Sequence, residues 1–101
     1  MTMNGMCDVC GKRTPIGVAA SSIGPMSFAY CRSCLEERAE PYFMVVTTLA
    51  CCGGRLEGTA DWFKDMIVPA SLEVAGKTVE DLLRDSQDFI NEMNAVEAVE
   101  E

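Results

Sequence analysis

Four of the six cysteines form two pairs whose spacing is typical of a metal site. Cys7 and Cys10 make one C-x2-C pair, Cys31 and Cys34 make the other, and 20 residues lie between the pairs. Two such pairs about 15–20 residues apart recur in zinc sites, because each short turn directs two sulfurs at one ion. Zn²⁺ prefers a tetrahedron, and four sulfurs leave no position for a reactive water. The pattern therefore predicts a structural Zn²⁺ site at these four residues.

Three other interpretations of the two pairs stay open. A redox dithiol needs one C-x2-C pair, usually beside a βαβ unit that this sequence does not show. Iron accepts the same four sulfurs, because tetrahedral S₄ sites suit both metals. The third interpretation is chance placement of the two pairs. We favour zinc because the spacing of the pairs matches the zinc pattern.

The remaining two cysteines, Cys51 and Cys52, are adjacent in the sequence "LACCGG". Free cysteine is among the most frequently buried residue types. We therefore expect both to pack in the interior beside Leu49 and Ala50. The alternative is that one of them replaces a ligand of the metal site.

The segments around the first four cysteines predict a hairpin followed by a helix. Strand-like residues at 16–19 and 26–30 are separated by a turn at Gly24-Pro25. Good helix formers follow Cys31, and Pro41 disfavours helix at the residue before it. The hairpin would thus link the two cysteine pairs, and the second pair would open a helix. We expect the first few residues of the chain to be loosely ordered.

The middle of the chain, residues 41–58, is ambiguous between a strand and a buried helix. Four consecutive β-branched residues at 45–48 favour a strand. Further on, Thr59 can cap a short helix that Pro69 would stop, and a brief strand or loop would follow over 71–77. We expect the single tryptophan, Trp62, to anchor the core.

A last helix is predicted from Thr78 onward. Asp81 occupies the position of the acid in a capping box that begins at Thr78. An apolar stripe with helical period follows, interrupted by Ser86, and we expect it to pack on the protein's own core rather than on a partner. The stripe consists of Val79, Leu82, Leu83, Phe89, Ile90, Met93 and Val96.

Charge is unevenly distributed along the chain. Residues 1–40 carry four basic and four acidic side chains, whereas residues 41–101 carry four basic and twelve acidic ones, and the net charge is −8. Such a chain should be repelled by a phosphate backbone. The sequence contains no histidine, so the commonest general base near neutral pH is missing. We therefore expect no enzyme and no strong nucleic-acid binding.

The sequence also predicts the cellular location of the protein and its domain organisation. No basic segment followed by an apolar one opens the chain, and no apolar run approaches about 20 residues, so we expect neither a secretory signal nor a membrane span. The expected location is the cytoplasm, where thiols stay reduced and metal is favoured over disulfides. With 101 residues, we expect an α+β protein with a zinc finger over 1–40 and an acidic, helical part over 41–101, joined in one compact unit.

The segments "CDVCGK", "IGP", "MSFAYC" and "CRSCLEE" together resemble a treble-clef zinc finger. They are similar to the amino-terminal C4 zinc-binding domain of the ClpX unfoldase family and to small bacterial and phage zinc-finger proteins. The resemblance covers about residues 6–40 and implies a metal role for the four cysteines. In that family the domain dimerises and docks adaptors and substrates, which implies protein binding and a homodimer here. The spacing between the pairs and the hairpin residues depart from the family, and the phosphate-loop pattern of its ATPase is absent.

Three functions are compatible with these features. The first is a structural-zinc module that binds a protein, as a phage or bacterial regulator of a host protein would, with Ile23, Met26 and Phe28 as a contact patch. The second is a nucleic-acid-binding or transcription-related finger, in which the basic side chains of residues 1–40 share one face. These are Lys12, Arg13, Arg32 and Arg38. The third is an inhibitor whose acidic half mimics DNA.

Overall fold

A three-stranded antiparallel sheet forms the N-terminal half of the protein. The computed structural model describes residues 3–100, and side chains are described for residues 4–95. The strands are β1 (Met3–Met6), β2 (Arg13–Ala20) and β3 (Ser27–Cys31), in the order β1-β2-β3. Ile16 of β2 pairs with Met3 on one side and with Cys31 on the other. The predicted hairpin is confirmed. Residues 3–6, which we expected to be loosely ordered, form a strand paired with β2, and residues 1–2 lie outside the described residues.

Helix α1 (Arg32–Glu37) follows β3 without a loop, so the second cysteine pair does open a helix. It ends at Arg38, which adopts a left-handed conformation with φ 61° and donates its N–H to the Leu35 carbonyl. A left-handed residue at this place is a common way to end a helix, because its N–H satisfies a free carbonyl. The chain then turns through a buried Ala39 and Glu40 toward the second half.

The middle segment forms helix α2 (Tyr42–Cys51), so of the two alternatives the buried helix is confirmed and the favoured strand is wrong. Pro41 takes the position before the first turn, where its missing N–H costs nothing. Met44, Val45 and Leu49 lie on one helical face and are buried. Packing of that face outweighs the modest β preference of the branched residues, which is a small term by comparison. The helix ends at Cys51, and Gly53 and Gly54 in the turn that follows both have positive φ.

A continuous helical segment replaces the predicted short helix and loop of residues 59–77. A single 3-10 turn (Leu56–Gly58) leads to a π-helix (Phe63–Ile67), which runs directly into α3 (Val68–Ala75). Pro69 therefore does not stop the helix, contrary to prediction. The wide π turn before it relieves the clash between the proline ring and the preceding turn, and the N–H that proline lacks falls at the junction. Gly76, with φ 67°, ends α3 instead.

Helix α4 (Val79–Glu100) begins with the predicted capping box. The Asp81 N–H donates to Thr78 Oγ1 at 3.1 Å, and the Thr78 N–H donates to Asp81 Oδ2 at 3.1 Å. Two free donors of the first turn are thereby satisfied by residues only three positions apart. Within residues 3–100, no helix combines the length and the apolar character that crossing a membrane requires.

The main core lies between α2, the π-helix with α3, and α4. It is made of Val45, Leu49, Phe63, Ile67, Val68, Leu72 and Leu82. Trp62 does not anchor it, contrary to expectation, since Trp62 is 46% exposed and its neighbour Phe63 is 2% exposed. Adjacent helical positions point about 100° apart, and here Phe63 rather than Trp62 lies on the side toward the core.

Only part of the predicted apolar stripe of α4 packs in this core. Leu82 is fully buried, whereas Val79, Leu83 and Met93 are exposed. Ser86 does not interrupt the stripe, because it is fully buried and its hydroxyl donates to the Leu82 carbonyl at 2.8 Å. Phe89 and Ile90 are partly buried, and the side chain of Val96 lies outside the described residues.

Candidate metal centre

The structure brings the four predicted ligands to one point. The Sγ atoms of Cys7, Cys10, Cys31 and Cys34 all lie within 4.8 Å of one another. The Sγ atoms of Cys10 and Cys31 are 3.9 Å apart. Four sulfurs bound to one Zn²⁺ at about 2.3 Å in a tetrahedron are about 3.8 Å apart. Both the number of sulfurs and their spacing therefore fit a Zn²⁺ ion, and small movements would complete the site.

The first pair sits on a tight turn between β1 and β2. The Gly11 N–H donates to the Cys7 carbonyl at 2.9 Å, and Gly11 has φ 75°, a conformation that glycine adopts without strain. The turn directs the Val9 N–H at Cys7 Sγ, at 3.4 Å, and the Cys31 N–H reaches the same sulfur at 3.3 Å. Such hydrogen bonds stabilise a thiolate, which is the form that binds metal.

The second pair lies where β3 becomes α1. Cys31 has extended backbone angles and precedes the first helical residue, while Cys34 lies in the first turn and is buried. A change from extended to helical backbone within three residues brings both sulfurs to the same side of the chain. Asp8 in the first turn exchanges two hydrogen bonds with Ala29 of β3, both 2.8 Å, and these bonds hold the first cysteine pair beside the second.

Burial and hydrogen bonding act in opposite directions on the pKa values of the clustered cysteines. Burial raises the pKa of Cys7, but N–H groups of Cys10, Cys31 and Val9 outweigh burial and lower that pKa to about 7. Burial raises the pKa of Cys34, and the neighbouring sulfurs of Cys31 and Cys7 raise it further. The pKa of Cys10 is also raised, chiefly by burial. The N–H groups around Cys7 thus favour a thiolate there, and a positive ion among the sulfurs would favour the thiolate form of the other cysteines.

Apolar side chains close the cluster on most sides. Ile16 of β2 and Ala39 pack on it as buried residues, and Ala70 and Val74 of α3 cover it from the second half of the chain. On the remaining side, an open cleft of about 450 Å³ is lined by Cys10, Lys12, Thr14, Cys31, Ser33, Cys34, Glu73 and Val74. Cys10 is the least buried of the four cysteines. Solvent therefore approaches the cluster from the cleft.

Glu40 links the sheet to α3, through its buried carboxylate on one side and its backbone N–H on the other. Glu40 is 3% exposed. Its carboxylate accepts hydrogen bonds from the Tyr30 hydroxyl at 2.7 Å, the Ser21 hydroxyl at 2.9 Å and the Ser22 N–H at 3.3 Å. Its own N–H donates to the Ser71 hydroxyl at 2.8 Å. The sequence interpretation missed this residue, and the only signal would have been an acid held before Pro41, where helix is disfavoured.

Cys51 and Cys52 do not belong to the cluster. Both are exposed, so the expectation that they are buried is wrong, and neither replaces a ligand. The reason is that α2 ends at Cys51, and only Leu49 in its last turn faces the core.

The residues of the predicted contact patch differ in their exposure. Phe28 is buried and packs edge-on against Phe43, whereas Met26 is exposed.

Comparisons of the chain with protein-family models, with curated proteins and with solved structures found no match. The similarity to the ClpX-type domain therefore has no support beyond the motifs of residues 6–40. The structure supports a coarser statement: four cysteines form a cluster that is consistent with a C4 zinc finger and that can hold a metal ion, and four sulfurs are the ligand set of structural zinc sites.

Proposed function

We propose that this chain is a small protein-binding module whose N-terminal half is held together by one structural Zn²⁺ ion. The observation that carries the proposal is the approach of the four cysteine sulfurs to within 4.8 Å of one another. Cys7, Cys10, Cys31 and Cys34 would hold the ion. When bound, Zn²⁺ supplies a cross-link between the two cysteine turns, worth on the order of 10 kcal/mol of folding free energy.

The order of elements supports a treble-clef type of finger. A cysteine turn after β1 is followed by the hairpin of β2 and β3, and α1 begins between the last two cysteines. This is the arrangement that the resemblance of residues 6–40 implies. In this proposal the chain is not an enzyme, because four sulfurs would occupy every position of a tetrahedral ion and no water could be activated.

Exposed apolar side chains support a binding role. Single exposed apolar residues are ordinary, but a small protein that exposes this many large ones has surface available for a partner. Among them, Trp62 supports a partner contact best, because tryptophan is enriched among the residues that dominate binding energy at interfaces. The large exposed residues include Met6, Val18, Met26, Leu35, Phe43, Trp62, Met66, Val79, Leu83 and Met93.

The partner in this proposal is a protein rather than nucleic acid. The four basic residues of the finger are exposed, but the Arg32 Nε lies 3.2 Å from the Glu36 carboxylate, which neutralises part of that charge. A net charge of −8 also opposes approach to phosphates. The similarity to small bacterial and phage proteins leads us to expect the partner in a bacterial cytoplasm.

Affinity capture with a matched pair of cysteine variants tests the proposal. The zinc-loaded chain should retain a specific protein from a bacterial lysate and should contain one zinc ion per chain. Cys34→Ser should lose both the metal and the captured protein, whereas Cys51→Ser, outside the cluster, should keep both. Metal content by plasma mass spectrometry and captured proteins by peptide mass spectrometry are the two measurements. A zinc-free wild-type chain that captures the same protein equally well would contradict the proposal.

A further inference from the structure

The apolar face of α4 packs on the main core near the start of the helix. The same face continues past the last residue that contacts that core. Residues 82, 86, 89 and 93 are spaced by four, three and four, so they lie within about 60° of one another around the helix. Leu82 and Ser86 are fully buried. Ile90, beside this face, still packs against the turn that follows α2, because a Cβ built on Gly54 would lie 3.3 Å from the Ile90 Cδ1. Residues 91–95 are all exposed, and Met93 is 50% exposed.

A row of acids runs along the neighbouring face of the same helix. Asp81, Asp85, Asp88 and Glu92 have the same four-three-four spacing, and the row lies about 100° from the apolar face. Arg84 pairs with the first two of them, at 3.1 Å from Asp81 and 3.4 Å from Asp85. Among the residues whose side chains are described, no lysine or arginine forms an ion pair with Asp88 or Glu92.

The distal surface of α4, defined as Asp88, Phe89, Glu92 and Met93, thus combines apolar side chains with carboxylates that lack a cation. We propose that this surface binds an amphipathic helix of a partner protein that carries leucine-like residues on one face and Lys or Arg along its flank. The inference rests on the proposed protein-binding function and names its surface and the chemistry of its partner. The partner helix continues the packing that α2 gives to Leu82 and places its basic side chains on Asp88 and Glu92.

Charge selects this occupant over the others. A second copy of the chain would bring its own acid row against this one, and like charges at helix contacts are unfavourable. Nucleic acid would be repelled by the same carboxylates. A basic helix instead gains both from covering Phe89 and Met93 and from pairing with the free acids, and its binding should weaken as salt is raised.

A designed peptide provides the probe. It has about 18 residues, with leucine at helical spacing on one face and lysine on both flanks, and a matched peptide has glutamate in place of each lysine. Fluorescence anisotropy with the full, zinc-loaded chain measures binding. We expect saturable binding of the lysine peptide and no binding of the glutamate peptide. Glu92→Lys should weaken the lysine peptide by about fivefold, as expected for the loss of an ion pair and the gain of repulsion.

Two matched controls separate this site from general attraction. Glu80→Lys makes the same charge change on the far side of α4 and should alter binding by less than about twofold. Met93→Asp makes the chain more acidic, so pure charge attraction would tighten the lysine peptide, whereas loss of the apolar contact weakens it about fivefold. Asn91→Asp adds the same charge on the opposite face and should not weaken binding. Circular dichroism melts of each variant confirm that α4 stays folded.

Several outcomes would overturn the inference. They are equal binding of both peptides, equal weakening by Glu80→Lys and Glu92→Lys, tighter binding by Met93→Asp, or a concentration-dependent dimer that Met93→Asp abolishes. Lysate capture separates this inference from the proposed function. If Asp88→Lys with Glu92→Lys retains the captured protein, the distal surface is excluded while the binding module stands. If the wild-type chain captures nothing, the proposed protein-binding function fails. The peptide measurement then still decides whether the distal surface binds a basic helix.

Discussion

The hydroxyl of Tyr30 donates to the carboxylate of Glu40 at 2.7 Å in the buried space between the sheet and the helices. Tyr30 directly precedes Cys31 of the cysteine cluster, and Glu40 lies two residues before α2. The bond thus ties the segment that leads into α2 to the strand that leads into the cysteine cluster, and the Glu40 N–H continues the link to Ser71 of α3 at 2.8 Å. Burial raises the pKa of Tyr30 well above its usual value, and Glu40 raises it further, so this hydroxyl remains a donor throughout the neutral range.

Glu40→Gln should destabilise the protein although it preserves the size of the side chain. Both carboxylate oxygens accept hydrogen bonds, so an amide NH₂ would face a donor at one of the two positions. An unsatisfied buried donor costs about 1–3 kcal/mol of unfolding free energy, which denaturant unfolding measures. Ser22→Ala is the control, because Ser22 contributes only its backbone N–H. Equal stability of Glu40→Gln and wild type would refute the role of this carboxylate.

Cys34→Ser should lower stability far more than Cys51→Ser. The first removes a buried sulfur of the cluster, whereas the second changes an exposed residue outside it. Loss of one ligand should remove most of the metal contribution, at least several kcal/mol, and addition of a strong chelator to the wild type should give a similar loss. Thermal unfolding with and without added Zn²⁺ is the measurement. Chelation that leaves the melting curve of the wild type unchanged would argue against a structural metal.

Phe63→Ala should cost about 3–5 kcal/mol of unfolding free energy, as for truncation of a buried aromatic residue. Trp62→Ala should cost less than about 1 kcal/mol, because Trp62 lies at the surface. Urea unfolding of the two variants gives the comparison. Fluorescence of the wild type gives an independent check, since an exposed indole should be readily quenched by iodide. A Trp62→Ala variant as unstable as Phe63→Ala would mean that the helix is rotated by one position.

Tyr42→Phe should reveal a pH-dependent contribution at alkaline pH. Burial raises the pKa of Tyr42 above the ordinary 10.0, and the hydrogen bond to Asp85 raises it further. A raised pKa in the folded state means that the stabilisation is complete below pH 10 and is lost as the pH rises above it, because the unfolded chain ionises first. The stability advantage of wild type over Tyr42→Phe should therefore shrink above pH 10, by up to about 1.4 kcal/mol per pH unit.

The measurement is the difference in unfolding free energy between the two proteins from pH 8 to pH 11. The cysteines and the other charged groups are common to both proteins, so their titration cancels in the difference. A constant difference over this range would show that Tyr42 ionises equally in both states and that its bond to Asp85 contributes nothing.

Features that depend on neighbours in the chain were readable from the sequence. The two C-x2-C turns, the hairpin around Gly24-Pro25 and the capping box of Thr78 and Asp81 are made by residues a few positions apart, so the spacing of residue types specifies them. The meeting of the two cysteine pairs follows from the hairpin, because antiparallel strands return the chain to its starting point.

Features that depend on burial were decided by the tertiary structure. Val45–Thr48 prefer strands locally, yet they form a helix because one face of α2 fills the core. The same packing buries Phe63 and leaves Trp62 exposed. It also lets the helix continue through Pro69, and it leaves Cys51 and Cys52 exposed to solvent. Local preferences differ by less than about 1 kcal/mol per residue, whereas burying one large apolar side chain is worth about 1.5–3 kcal/mol, so the shared core prevails where the two disagree.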